Sequence, residues 1–107
     1  MVVVSALVPR PGQLVTSRAG RDKGKPFLVL RLIDGRYAEI ADGDARSVTN
    51  PKRKNVRHLQ PHTVVHQGLA EMLAQGRLPS DEELRAMLAE ALGTAARSGG
   101  ASEAGGS

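Results

Sequence analysis

Cysteine and tryptophan are missing from this 107-residue chain, and Phe27 and Tyr37 are its only aromatic residues. Each gap removes a class of function. Without cysteine there is no disulfide, no thiolate zinc site and no cysteine nucleophile, a composition that fits a reducing cytosol and a cytoplasmic protein. Without aromatics a core must be assembled from Val, Leu, Ile, Met and Ala, so it is modest and belongs to one small domain at most. No apolar run is long enough to span a bilayer. The start VVVSALV lacks a cationic n-region and meets Pro9-Arg10-Pro11, so it is not read as a signal peptide. Residues 1–11 are expected to be an N-terminal leader or an added edge strand.

Positive charge is present, and unevenly. Residues 1–62 carry twelve Lys/Arg against five Asp/Glu, whereas residues 63–107 carry three against six. A focused basic region attracts polyanions through its field and through release of their counterions. The charge falls in two clusters: Ser17–Phe27, SRAGRDKGKPF, and Pro51–His58, PKRKNVRH. A solvated surface tuned for solubility would scatter its cations more widely, so clustering favours a polyanion partner.

Between the clusters the chain reads as short strands joined by tight turns. Gly12–Ser17 has strand composition, and Phe27–Ile33 has strong β character, ending at the hairpin signal Asp34-Gly35. Arg36–Ala41 alternates Tyr37 and Glu39 with Ala38 and Ile40. Asp42-Gly43 predicts a second turn, Ala45–Thr49 a third short strand, and Asn50-Pro51 another break. Asn55–Leu59 is the candidate to close the sheet. Four or five short strands within this span predict a small barrel.

Composition then changes. Leu69, Met72 and Leu73 fall at helical spacing within Gly68–Gln75, which stops at Gly76. Ser80-Asp81-Glu82-Glu83 has the form of a capping box. The helix it opens places Leu84, Met87, Leu88, Ala91 and Leu92 on one face, with Gly93 as its stop. Residues 63–93 are thus expected to be a helical hairpin. The Gly/Ser/Ala-rich residues 94–107 are expected to be disordered.

In Gly20-Arg21-Asp22-Lys23-Gly24-Lys25 two glycines permit turns that side chains forbid, displaying Lys23 and Lys25 beside amides that can meet phosphate oxygens. Asp22 is expected to bond the turn or to neutralise a neighbouring cation. The bland alternative is a hairpin loop with lysines added for solubility, and the loop alone does not separate the two.

Leu14–Val29, LVTSRAGRDKGKPFLV, resembles a KOW motif, in which a Gly-x-Asp-Lys-Gly-Lys turn joins two strands of an SH3-like barrel. The wider segment, residues 12–62, resembles bacterial KOW-domain RNA-binding proteins related to the large-subunit ribosomal protein fourteen-e of eukaryotes and archaea. The resemblance implies an SH3-like barrel that binds structured RNA, commonly ribosomal, through basic loops. It puts Arg18, Arg21, Lys23, Gly24 and Lys25 in the motif loop, and Lys52, Arg53, Lys54, Arg57 and His58 in a second one. Pro26-Phe27 stands where many KOW motifs carry a further glycine, which argues against the elongation- and transcription-factor branches. With no aromatic platform except Tyr37, recognition is expected to favour the backbone and shape of folded RNA.

Sharper chemistries fail. A P-loop needs four residues between its glycines and Ser/Thr after the lysine; here there are three, and Pro26 follows. His58, His62 and His66 recur every four residues, but Pro61 breaks any helix that would align them as metal ligands. Asp42-Gly43-Asp44 lacks the remaining ligands of a calcium loop. No nucleophile or acid–base pair stands out. The sequence therefore predicts a mostly β protein with an α-helical C-terminal extension, non-enzymatic, free of cofactor and metal, that binds RNA and is ribosome-associated. The alternative is a small-barrel adaptor docking a protein, or a second copy of itself, through residues 69–92. No membrane and no small-molecule substrate are expected.

Overall fold

The computed structural model describes residues 2–3 and 9–105, with side chains described within 9–97. Five antiparallel strands form the body: β2 (Gln13–Ser17), β3 (Pro26–Ile33), β4 (Tyr37–Ala41), β5 (Lys52–Asn55) and β6 (Leu59–Val65). The two-residue β1 (Val2–Val3) pairs with β6 as an added edge, giving the order β1-β6-β2-β3-β4-β5. Two helices follow, α1 (Gln67–Ala74) and α2 (Asp81–Gly105). The chain is therefore mixed α/β with substantial strand content. The sheet stays open: a 3-10 turn at Val56–His58 separates β5 from β6, and they pair with β4 and β2 respectively.

Why β3 is apolar without alternation follows from burial on both faces of the sheet. Phe27 and Val29 point inward to join Val15, Ala38, Ile40 and Leu59. Leu28 and Leu30 point outward to join Leu14, Ala41, Val64, Leu69, Leu84 and Leu88 under the helices. A register shift between Val29 and Arg31 ends this regime, so Arg31, paired with Glu39, stands on the outer face beyond helical cover. The Asp34-Gly35 hairpin forms as expected: both residues have positive φ, and Arg36 N–H donates to the Ile33 carbonyl at 3.0 Å.

Ala45–Thr49 is not a strand. Asp42 Oδ1 accepts from the N–H groups of Asp44 and Arg46, each at 2.9 Å, folding the segment on itself. Asp81, in the first turn of α2, then takes the Val48 N–H at 2.7 Å and the Ser47 hydroxyl at 2.8 Å. Those bonds hold the Asp81 carboxyl below its ordinary range: the Val48 amide contributes most, the Ser47 hydroxyl next, against opposing burial. The segment is a docking loop for α2.

The capping box is present in both halves, Ser80 Oγ accepting from Glu83 N–H at 3.1 Å and Glu83 Oε1 accepting from Ser80 N–H at 2.8 Å. α2 does not stop at Gly93 but runs on to Gly105, so residues 94–105, read from composition as disordered, continue the helix. Gly93 has no positive φ, and the alanines beyond it sustain the helix while Ala95 packs against the core. Residues 106–107 lie outside the described part. The two helices are less a hairpin than a shared cover. α2 lies across β6, β2 and β3, and Leu84, Leu88 and Ala91 are buried there. The apolar stripe proposed as an adaptor face is thus covered by the chain's own sheet, with Leu92 its one exposed leucine.

Candidate nucleic-acid interface

Alternation along β5 sorts the second basic cluster. Lys54 pairs with Ala38 and Lys52 with Ile40, both inward positions, whereas Arg53 pairs with Glu39 and Asn55 with Tyr37 on the outer face. The cluster is therefore an edge strand followed by a 3-10 turn, and not the loop expected from Pro51–His58. A basic run at a sheet edge is what keeps such an edge from pairing with another chain, which composition alone does not distinguish from a loop.

Curling of the sheet brings β5 against the first cluster. Lys54 is buried, 8% exposed, and its ammonium donates to Ser17 Oγ at 2.8 Å and to the Ala19 carbonyl at 2.6 Å. Lys52 Nζ lies 3.0 Å from Asp22 Oδ2. Arg18 N–H donates to the His58 carbonyl at 2.8 Å. Two lysine side chains of β5 and one backbone bond from the following turn thus tie the second cluster to the first, with no ladder between them. Lys54 and Asp22 titrate accordingly. Burial lowers the Lys54 pKa, with Lys52 pushing the same way. The Lys52 ammonium lowers that of Asp22 against opposing desolvation. Asp22 thus neutralises a cation, as expected of it, but one thirty residues away.

The motif loop is a wound turn. Gly20–Asp22 forms a 3-10 turn, with Gly20 and Gly24 both at positive φ. The N–H groups of Lys23, Gly24 and Lys25 donate to the carbonyls of Gly20, Ser17 and Asp22. Those three amides, expected to face phosphate, are satisfied inside the loop, and Gly24 serves the turn rather than a ligand. What faces outward is side chain: Arg18, Arg21, Lys23 and Lys25 are all exposed, as are Arg53, Arg57 and His58. Among the described residues none of the six Arg/Lys in that set has a carboxylate partner within ion-pair range.

Sequence reasoning missed Arg36 and Arg46. Arg36 is exposed, and its carbonyl accepts from Val56 N–H at 2.9 Å, which sets it beside the Val56–His58 turn. Arg46 is near enough to Asp22 and Lys54 to bias both. Only the ladder and the curl bring these residues to the basic end, and no local signal announces them.

The three histidines stand apart, and two of them serve structural ends. His58 is exposed; His62 Nε2 meets Thr16 Oγ1 at 2.6 Å. His66 caps α1, its Nδ1 accepting from Leu69 N–H at 3.1 Å. That fixes the tautomer, so Nε2 donates to Glu90 Oε1 at 2.6 Å and ties α1 to α2. Away from the basic end, an open and mostly apolar groove of about 860 Å3 lies between Arg31–Glu39, Leu73 and Leu78. No helix among the described residues is long and apolar enough to cross a membrane. No protein-family model matches the chain, and no curated protein sequence matches it.

Proposed function

We propose that this chain is a non-enzymatic RNA-binding protein that contacts the phosphates of structured RNA through one basic end of its sheet. The observation that carries the reading is the joining of two distant basic segments by the Lys54–Ser17–Ala19 and Lys52–Asp22 contacts, which leaves six unpaired arginines and lysines exposed around them. Cations held together with no carboxylate partner repel one another, and a polyanion relieves that repulsion while releasing its own counterions. The KOW resemblance supplies the finer form: an SH3-like barrel whose two sides are bridged at the basic end, acting in the cytoplasm on ribosomal RNA.

Fluorescence anisotropy with a ribosomal RNA fragment over a salt series tests this. Binding is expected to weaken steeply with salt, and reversal of Lys23, Lys25 and Arg53 to glutamate is expected to abolish it. Salt-independent binding, or retention by the triple variant, would overturn the proposal. Crosslinking in cells separates ribosomal from general RNA, since even labelling across messenger and ribosomal RNA would remove the ribosomal part.

A further inference from the structure

Helical cover ends halfway across the outer face of the sheet. Beyond it, the alternation of β4 and β5 places Tyr37 and Asn55 on directly paired positions, with Arg53 two residues along on the same face. Tyr37 is 36% exposed, although it is the largest aromatic of the chain and nothing in the core requires it there. Asn55 is oriented: its Oδ1 accepts from Arg57 N–H at 3.0 Å, so its amide hydrogens are the part left over. Glu39, the carboxylate nearest along β4, is engaged by Arg31 at 3.2 Å. Arg36 precedes Tyr37 in the chain, and Arg57 stands in the turn bonded to it.

We infer that Tyr37 and Asn55 form a subsite for one unpaired nucleobase, stacked on the phenol ring with an acceptor on its edge turned to the Asn55 amide. This rests on the RNA-binding reading above and adds a feature to it: a preference for a bulged or looped nucleotide beside a helix, in place of backbone and shape alone. Arg53, two residues from Asn55 on the same face, then meets a phosphate beside the flipped residue. A single amide donor meets an acceptor on any of the four bases, so the subsite selects an unpaired base over a paired one and not one base over another.

The chain has one tyrosine and no tryptophan, so its intrinsic fluorescence reports Tyr37 alone. Three RNAs are titrated at one low salt concentration: a fully paired duplex, the same duplex with one bulged adenosine, and the same with an abasic ribose at the bulge. Stacking of one base is worth about 1–3 kcal/mol, so the bulged RNA should bind about 5- to 150-fold tighter than the other two. It alone should quench the tyrosine strongly. Tyr37→Phe should keep the affinity preference, and Tyr37→Ala should lose it with the salt dependence unchanged. Equal binding of all three RNAs with equal quenching would overturn the subsite while leaving RNA binding intact. Failure of all three to bind would overturn both.

Discussion

Replacing Lys54 with methionine tests the connection between the two basic segments. The substitution keeps a four-atom apolar stem and removes the ammonium, which donates to Ser17 Oγ and to the Ala19 carbonyl. Hydrogen bonds from a charged donor are worth about 1.5–3 kcal/mol each, but two effects reduce the loss. The Ser17 hydroxyl already donates to Ala19 O at 3.0 Å, so that carbonyl keeps a partner. Methionine also escapes the desolvation that lowers the Lys54 pKa. The net cost is about 1–2 kcal/mol, or a fall in melting temperature of about 5–10 °C for a domain near this size. Alkaline pH supplies a second readout. Because the folded-state pKa lies below the ordinary 10.5, the unfolded chain holds this proton longer as pH rises. Wild-type stability should therefore grow relative to Lys54→Met through the window just below 10.5, and the difference should be level at lower pH. The other lysines titrate alike in both proteins and cancel. Calorimetry at neutral pH and again through that alkaline window decides the matter. An unchanged or raised melting temperature would show that desolvation outweighs both bonds, and a widening deficit for wild type at high pH would refute the assigned direction.

Other perturbations follow from single positions. At Gly43, φ is +80° and an added Cβ would strike the Asp81 carbonyl oxygen, whereas at Gly24, φ is +88° with nothing within 4 Å. Gly24→Ala should cost about 1–2 kcal/mol of backbone strain and Gly43→Ala clearly more, as read from urea midpoints; equal costs would refute the clash. Ser80→Ala should cost about 1 kcal/mol, and adding Glu83→Ala should cost less than the sum of the two single losses, because the capping bonds are reciprocal. Burial lowers the His62 pKa below the ordinary 6.5, so the folded state resists protonation and stability should fall as pH drops below that value. His62→Gln should flatten that acid limb in a thermal-unfolding series from pH 8 to pH 5.

Punctuation and local chemistry were legible in the sequence, and partnership was not. Asp34-Gly35 needs only positive φ, and Ser80 and Glu83 cap each other within one turn, so both could be read locally. Ala45–Thr49 and residues 94–105 depart from what their composition predicts because their state is set by remote groups or by a gentle propensity difference: Asp81 takes the Val48 amide, and Ala95 finds the core. In the candidate interface, the identity of the basic segments was plain, but their strand parity was not. One residue of register decides that Lys54 goes inward and Arg53 outward. Read as a loop, PKRKNVRH offers all its cations equally; read as β5 and a turn, it divides them between scaffold and surface.

That division sets a bound on RNA binding. Of the eight lysines and arginines in the two segments, Lys52 is occupied by Asp22 and Lys54 by Ser17 and Ala19. Six remain to displace counterions: Arg18, Arg21, Lys23, Lys25, Arg53 and Arg57. At about 0.9 counterions per phosphate contact, the slope of log K against log salt for these segments should not exceed about 5 in magnitude. Each exposed residue removed should lower it by about 1, while Lys54→Met should weaken binding by loosening the loop and leave the slope where it was. A slope reduced by a full unit in Lys54→Met would mean that the buried ammonium reaches the phosphates itself. The two segments would then have to part on binding, breaking the contacts that join them in the free protein.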